Sequence, residues 1–167
     1  LEDDYLLHDL ARLREEPNQL TNVPITLSLR EDPVSGIIGL RQETLELVRS
    51  LLLQITALHS ADEVKLVFLI DEEELPAWEF ARWLPHAWDD AGTSRFLATT
   101  EQEARALSVG LEHELAERID TLSRQHDAIV PHYVIILASQ KLAEKAAFVA
   151  QALKAPPAAA FSCLSLA

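Results

Sequence analysis

The sequence predicts a three-layer α/β sandwich around a mostly parallel sheet, on three observations. Short apolar runs alternate along the chain with longer stretches of helical periodicity. The runs Val64–Ile70 and Tyr133–Leu137 carry little polar alternation, as expected of strands covered on both faces. The chain has 167 residues, 49% of them hydrophobic and 25% charged, which is enough for one domain with a real core.

The elements follow in order. Leu6, Leu7, Leu10 and Leu13 stand at helical spacing before Pro17, so residues 1–17 predict a short amphipathic helix, and residues 18–167 a single α/β domain. Val23, Ile25, Leu27 and Leu29 alternate with other residues and predict a half-buried strand, broken at Glu31-Asp32-Pro33. Ser35–Gly39 reads as a very short strand. A helix over about Gln42–Leu58 follows, with Leu45, Val48, Leu52 and Ile55 on one stripe. Leu47, Leu51 and Leu58 widen that stripe, which predicts burial on more than one side. After Val64–Ile70 comes an acidic turn, Asp71 to Glu74, then a short helix and loop over Leu75–Trp88.

Arg95–Thr99 predicts another strand. Thr100 and Glu103 form a capping box, in which each side chain satisfies the other residue's backbone N–H. The helix it opens runs to about Leu122 on Ala104, Leu107, Leu111, Leu115, Ile119 and Leu122. Leu142, Ala146, Val149, Ala150 and Leu153 predict one more helix after Tyr133–Leu137. A turn at Lys154–Pro157 and a strand from Phe161 close the chain.

The formal net charge is −13, with only fourteen Lys and Arg. Phosphate backbones are repelled by such a surface, so nucleic acid is excluded as a direct partner. The longest apolar runs, around Leu51–Leu53 and Val134–Leu137, are too short to span a bilayer. Residues 1–4 have the wrong charge for a signal peptide. We expect a soluble fragment of something longer, since the first residue is not Met and the last strand reads as cut short. Cys163 is the single cysteine, which excludes an internal disulfide and fits a reducing, cytoplasmic setting.

In a parallel α/β sheet, ligands bind at the carboxyl ends of the strands. The first strand–Gly–helix junction is Gly36-Ile37-Ile38-Gly39-Leu40-Arg41. A phosphate loop there needs Gly residues that turn backbone N–H groups inward, a Lys for the β- and γ-phosphates, and Ser or Thr for Mg²⁺. Arg41-Gln42-Glu43 stands in place of that element, and none of the four glycines is followed by Lys. Arg41 could still hold an anion at the helix start. A buried strand should also end in an acid that holds Mg²⁺, but the strand Tyr133–Leu137 ends in Ala138-Ser139, with Ser139 a better helix cap than a ligand. We therefore expect no catalytic residue, cofactor or metal.

Other groupings carry less chemistry. Trp78, Trp83, Pro85, His86 and Trp88 predict either an aromatic contact surface or a satellite core over the sheet. His86 with Asp89 and Asp90 lacks the third convergent ligand of a usual metal site. His113 and Glu117 share a helix face without a second His. Glu72-Glu73-Glu74 reads as a charged turn.

The order of elements, with Leu84-Pro85-His86 after the second strand and Glu114 to Arg118 ending a helix, resembles an FtsK/SpoIIIE-type ATPase domain, a P-loop NTPase-like (RecA-like) fold. The phrases Gln54–Ser60 and Trp83-Leu84-Pro85-His86-Ala87-Trp88 resemble more closely the membrane-bound EssC/EccC ATPases of type VII secretion. The likeness is to their degenerate domain between transmembrane helices and first ordinary ATPase module, over residues 20–167. The resemblance implies that residues 1–16 are the end of a membrane stalk. It further implies a non-catalytic domain at the cytoplasmic face of the bacterial membrane, partnered by other domains of the parent ATPase and by neighbouring secretion subunits. The alternative is a nucleotide- or anion-sensing module without hydrolysis.

Overall fold

The computed structural model describes residues 23–124 and 129–167. The expected N-terminal helix lies outside the described residues. Five strands among the described residues form one sheet: β1 (Val34–Ile37), β2 (Val64–Leu69), β3 (Leu97–Ala98), β4 (His132–Leu137) and β5 (Phe161–Leu166). Their order is β1-β5-β4-β2-β3, and every pairing is parallel rather than merely most of them. Among the described residues four α-helices accompany them: α1 (Arg41–Leu58), α2 (Glu101–Leu122), α3 (Gln140–Lys145) and α4 (Ala147–Ala152). The expected three-layer sandwich is the observed architecture.

The two faces of the sheet follow from the winding. The chain moves one way across the sheet from β1 to β2 to β3, then back from β3 to β4 to β5. Right-handed crossovers running in opposite directions place their connections on opposite faces. Accordingly Leu45, Val48 and Leu52 of α1 pack with Trp78 on Leu66, Phe68, Val134 and Ile136. On the other face α2, α3 and α4 cover Val67, Leu69, Tyr133, Ile135 and Phe161. Strands β2 and β4 are buried along their whole length, the reason their sequences do not alternate.

The capping box forms as expected: Thr100 Oγ1 accepts from Glu103 N–H, and the Glu103 carboxylate accepts from Thr100 N–H. Elsewhere the structure departs from the sequence reading. Residues 23–29 are not a strand. Pro24 has no N–H to give a ladder, the edge of β5 is taken by β1, and Ile25 is 95% exposed. Leu29 alone packs on the core, its carbonyl accepting from Ser162 Oγ. The helix expected over residues 142–153 is two, broken at Ala146, whose φ of −92° and ψ of 94° leave the helical region. Ser108 Oγ of α2 accepts the Phe148 N–H at 2.9 Å and holds the second piece in place. The strand at Arg95–Thr99 shrinks to Leu97–Ala98, since Trp88 and Arg95 form an antiparallel bridge that turns the chain just before it. Nor is α1 buried on more than one side: Leu47 and Leu58 are exposed, while Leu45, Val48 and Leu52 are covered. Ile119 of α2 is likewise partly in solvent.

His132, at the start of β4, gives the fold a pH dependence. Its Nε2 lies 2.7 Å from Ser162 Oγ. Because that hydroxyl donates to Leu29 O, it accepts from the ring, which fixes the neutral Nε2–H tautomer. Burial, then the charges of Arg30 and Arg118, pull the imidazole down to about 4. The unfolded chain binds a proton below its ordinary value near 6.5 that folded His132 refuses, so stability is lost as pH falls from about 6.5 to about 4. We expect a loss of about 2–3 kcal/mol across that window. Denaturant unfolding of the native chain and His132→Gln at pH 7 and pH 4.5 measures it; the variant should lose distinctly less.

Candidate functional site

Strands β2 and β4 are neighbours, yet the segments that leave their carboxyl ends go to opposite faces of the sheet. This makes the β2–β4 gap the topological switch point, where an open α/β sheet places its ligand. The acidic turn Asp71–Glu74 leaves β2, Ala138-Ser139 leaves β4, and Arg41 opens α1.

These groups satisfy one another. The Arg41 guanidinium makes a two-pronged pair with the Glu74 carboxylate, Nε to Oε1 at 2.7 Å and Nη2 to Oε2. The same Nη2 donates to Ala138 O at 3.3 Å. Such planar, bidentate pairing is the geometry Arg otherwise offers a phosphate. Beside it Ser139 Oγ donates to Asp71 Oδ1 at 2.6 Å and accepts the Leu142 N–H at 3.2 Å, capping α3. Ser139 is buried, and its hydroxyl proton and one lone pair are engaged. A carboxylate therefore does stand at this end of the sheet, supplied by β2 rather than β4.

The loop before α1 is not a cradle. Among the described residues only Gly92 has a glycine φ in the left-handed region. Gly36 and Gly39 adopt conformations open to other residues, and a Cβ at Gly36 would meet nothing within 4 Å. The loop thus does not use glycine to turn successive N–H groups onto a ligand. Leu40 provides no side-chain cap, and Glu43 puts negative charge in the first turn. The neighbouring cleft, about 570 Å³, is lined by Asp71, Glu72, Glu73, Glu74 and Glu101, with Lys141 its only cationic lining residue. Such a field opposes a triphosphate.

The aromatic stretch divides. It is a run of 3₁₀ turns, Glu72–Trp83 and Pro85–Ala87. Trp78 is fully buried, edge-on to Phe68 at 5.9 Å and stacked on Phe80 at 6.0 Å. His86 is buried too, its Nε2 2.8 Å from His59 O. These two belong to the core rather than to a contact surface. Trp83 is 80% exposed, Pro85 is exposed, and half-buried Trp88 carries the Arg95 guanidinium 4.4 Å from its ring centre. His86, Asp89 and Asp90 do not converge: Asp89 holds Thr93 and Ser94 of its own turn, and Asp90 pairs with buried Lys65 at 2.8 Å. Among the described residues no group of three or more His, Cys, Asp or Glu is placed to hold a metal. His113 and Glu117 form an exposed pair at 3.3 Å. Burial pushes the Cys163 thiol up to about 12, which keeps it unreactive.

Glu74, which the sequence places only in a charged turn, proves to be a central residue of the site. It lies 33 positions from Arg41, and only the long crossover through α1 brings the two together. We expect Glu74→Gln to leave the fold intact and free the guanidinium's charge. Phosphate affinity measured by calorimetry should rise about tenfold, equivalent to about 1.4 kcal/mol, and Glu74→Gln/Arg41→Ala should abolish the gain.

Fold and site together define an α/β domain with a wholly parallel sheet and a crevice at its switch point bridged by its own side chains. No family model matches the chain. It is similar to part of the ESX-5 secretion system protein EccC5 of Mycobacterium marinum, 32% identical over 90 residues, 51% of this chain and 6% of that protein. It is 25% identical over 139 residues to the ESX secretion system protein YukB of Bacillus subtilis, 83% of this chain and 9% of the relative. The type VII secretion system protein EssC of Staphylococcus aureus is 25% identical over 144 residues, 83% and 10% of the two chains. The chain thus spans a tenth or less of the length of these curated relatives. A solved structure, the cytoplasmic domain of EssC, matches with a TM-score of 0.46 and 17% identity over 86% of this chain and 28% of the other. Among the described residues no helix is long and apolar enough to cross a membrane.

Proposed function

We propose that this chain is a non-hydrolysing, NTPase-like domain of a type VII secretion ATPase of the FtsK/SpoIIIE class. In this reading it sits at the cytoplasmic face of the membrane and couples the membrane-proximal part of its parent protein to ATPase modules through protein contacts. The similarity to secretion-system proteins supports the parent's class. The observation that carries the loss of catalysis is the Arg41–Glu74 pair with its bond to Ala138 O: the cation best placed to meet a phosphate is neutralised from within. The same pair opposes the rival reading of an anion sensor at Arg41.

The test is phosphate release by the chain with ATP and Mg²⁺, run beside calorimetry with ATP and ADP. The expected result is turnover no faster than buffer and no saturable heat. Turnover that requires Mg²⁺ and vanishes in Arg41→Ala would overturn the reading.

A further inference from the structure

One flank of α1 is apolar and uncovered. Leu58, 76% exposed, lines a groove with residues 25–29, and Leu47, one turn before Leu51 of that groove, is 49% exposed. Between that flank and residues 25–29 runs a groove of about 300 Å³, whose apolar walls include Ile25, Leu27, Leu51, Ile55, Leu58 and Leu164. Ile25, at its rim, is 95% exposed. The opposite flank of α1 meets the 3₁₀ stretch, where Arg49 donates to Ala77 O at 2.6 Å. The groove is therefore a separate surface, on the β1–β5 side of the helix.

We propose that this groove is the docking site for the leucine-bearing segment of the same chain, residues 6–13. Three features argue for that occupant. First, Leu6, Leu10 and Leu13 are spaced i, i+4, i+7, with Leu7 beside them, which gathers them on one helical face. A segment that short is marginal as an isolated helix and needs a surface to cover its apolar face. Second, the segment is tethered at the groove: the described chain begins at Val23, two residues before Ile25. The residues between Leu13 and Val23 can span about 30 Å, and α1 is itself about 27 Å long, so the whole flank is within reach. Tethering gives an effective concentration on the order of millimolar, which a free partner must exceed. Third, residues 6–13 carry no net charge at pH 7, Asp9 being offset by Arg12, so their leucine face suits an apolar groove. In a chain of net charge −13, this groove has no carboxylate among its lining residues. It accepts a neutral, leucine-bearing segment without burying an unpaired charge.

The experiment uses the full chain with two introduced cysteines and a short bis-maleimide; Cys163 is buried and stays unmodified. Leu10→Cys/Leu58→Cys should cross-link within one molecule at least about tenfold faster than Leu10→Cys/Val109→Cys, at the same reactivity of the single variants. Val109 is the control because it is 73% exposed on α2, across the sheet. Hydrogen exchange gives an independent readout: Leu6→Asp/Leu10→Asp should speed exchange about tenfold at amides of residues 47–58 and leave β2 and β4 unchanged. Equal cross-linking of both pairs, or unchanged exchange at α1, would overturn the proposal. So would cross-linked dimers through Leu58→Cys alone, which would make a second copy the occupant.

Discussion

Trp78→Ala should destabilise the domain by about 3–5 kcal/mol. The side chain is fully buried between the sheet and the 3₁₀ stretch, with Phe68 edge-on and Phe80 stacked. It belongs to the same core cluster as Leu45, Val48 and Leu52 of α1 and Phe68 and Ile136 of the sheet. Removing it opens a cavity that a rigid sheet cannot close, and the melting temperature should drop by about 10 °C or more. Trp78→Phe should lose much less. The indole Nε1–H has no partner among the described residues, so the variant discards a buried, unsatisfied donor along with part of the ring. Trp83→Ala, five residues on and exposed, should change stability by no more than about 0.5 kcal/mol. Thermal unfolding of the three variants separates the core tryptophan from the surface one.

Arg118→Ala is the second large effect, with an expected cost of about 3–5 kcal/mol. Arg118 lies near the end of α2 and is 4% exposed. Its Nε donates to Glu114 Oε1 at 2.7 Å, and Nη1 donates to Pro131 O at 2.7 Å and Ala159 O at 3.3 Å. Those carbonyls belong to the segments that feed β4 and β5. The guanidinium also lies over Tyr133 at 4.7 Å and Phe161 at 5.3 Å, rings that stack on each other across the two strands. Truncation removes the helix-to-sheet tie and leaves the two carbonyls without their donor. Arg118→Lys should recover little, because an ammonium cannot match the planar fork. Denaturant unfolding should show both variants with a lowered midpoint.

Local signals in the sequence carry much of the fold. The continuous apolar runs of β2 and β4 announce strands covered on both sides, and Thr100 with Glu103 fixes the start of α2 through bonds only three residues apart. Alternation over residues 23–29 misleads because it marks a chain laid along the core edge, touching it chiefly at Leu29. The break at Ala146 has no Gly or Pro to signal it, and depends on Ser108 reaching Phe148 across 40 positions. At the candidate site, the lack of a Gly-Lys element is visible directly in the chain. What fills the space is not: the Arg41–Glu74 pair and the Ser139–Asp71 bond span 33 and 68 positions. They exist only once β2 and β4 lie side by side.

The central claim is that the crevice at the carboxyl ends of β2 and β4 is satisfied by its own side chains and does not receive a nucleotide. An NMR titration of the ¹⁵N-labelled chain with Mg·ATP reads this at the atoms concerned. The account predicts no saturable shift of the Gly39, Arg41 and Thr44 amides or of the Arg41 guanidinium. Saturable shifts confined to those groups, with the Arg41–Glu74 ion pair opening as ATP binds, would contradict it.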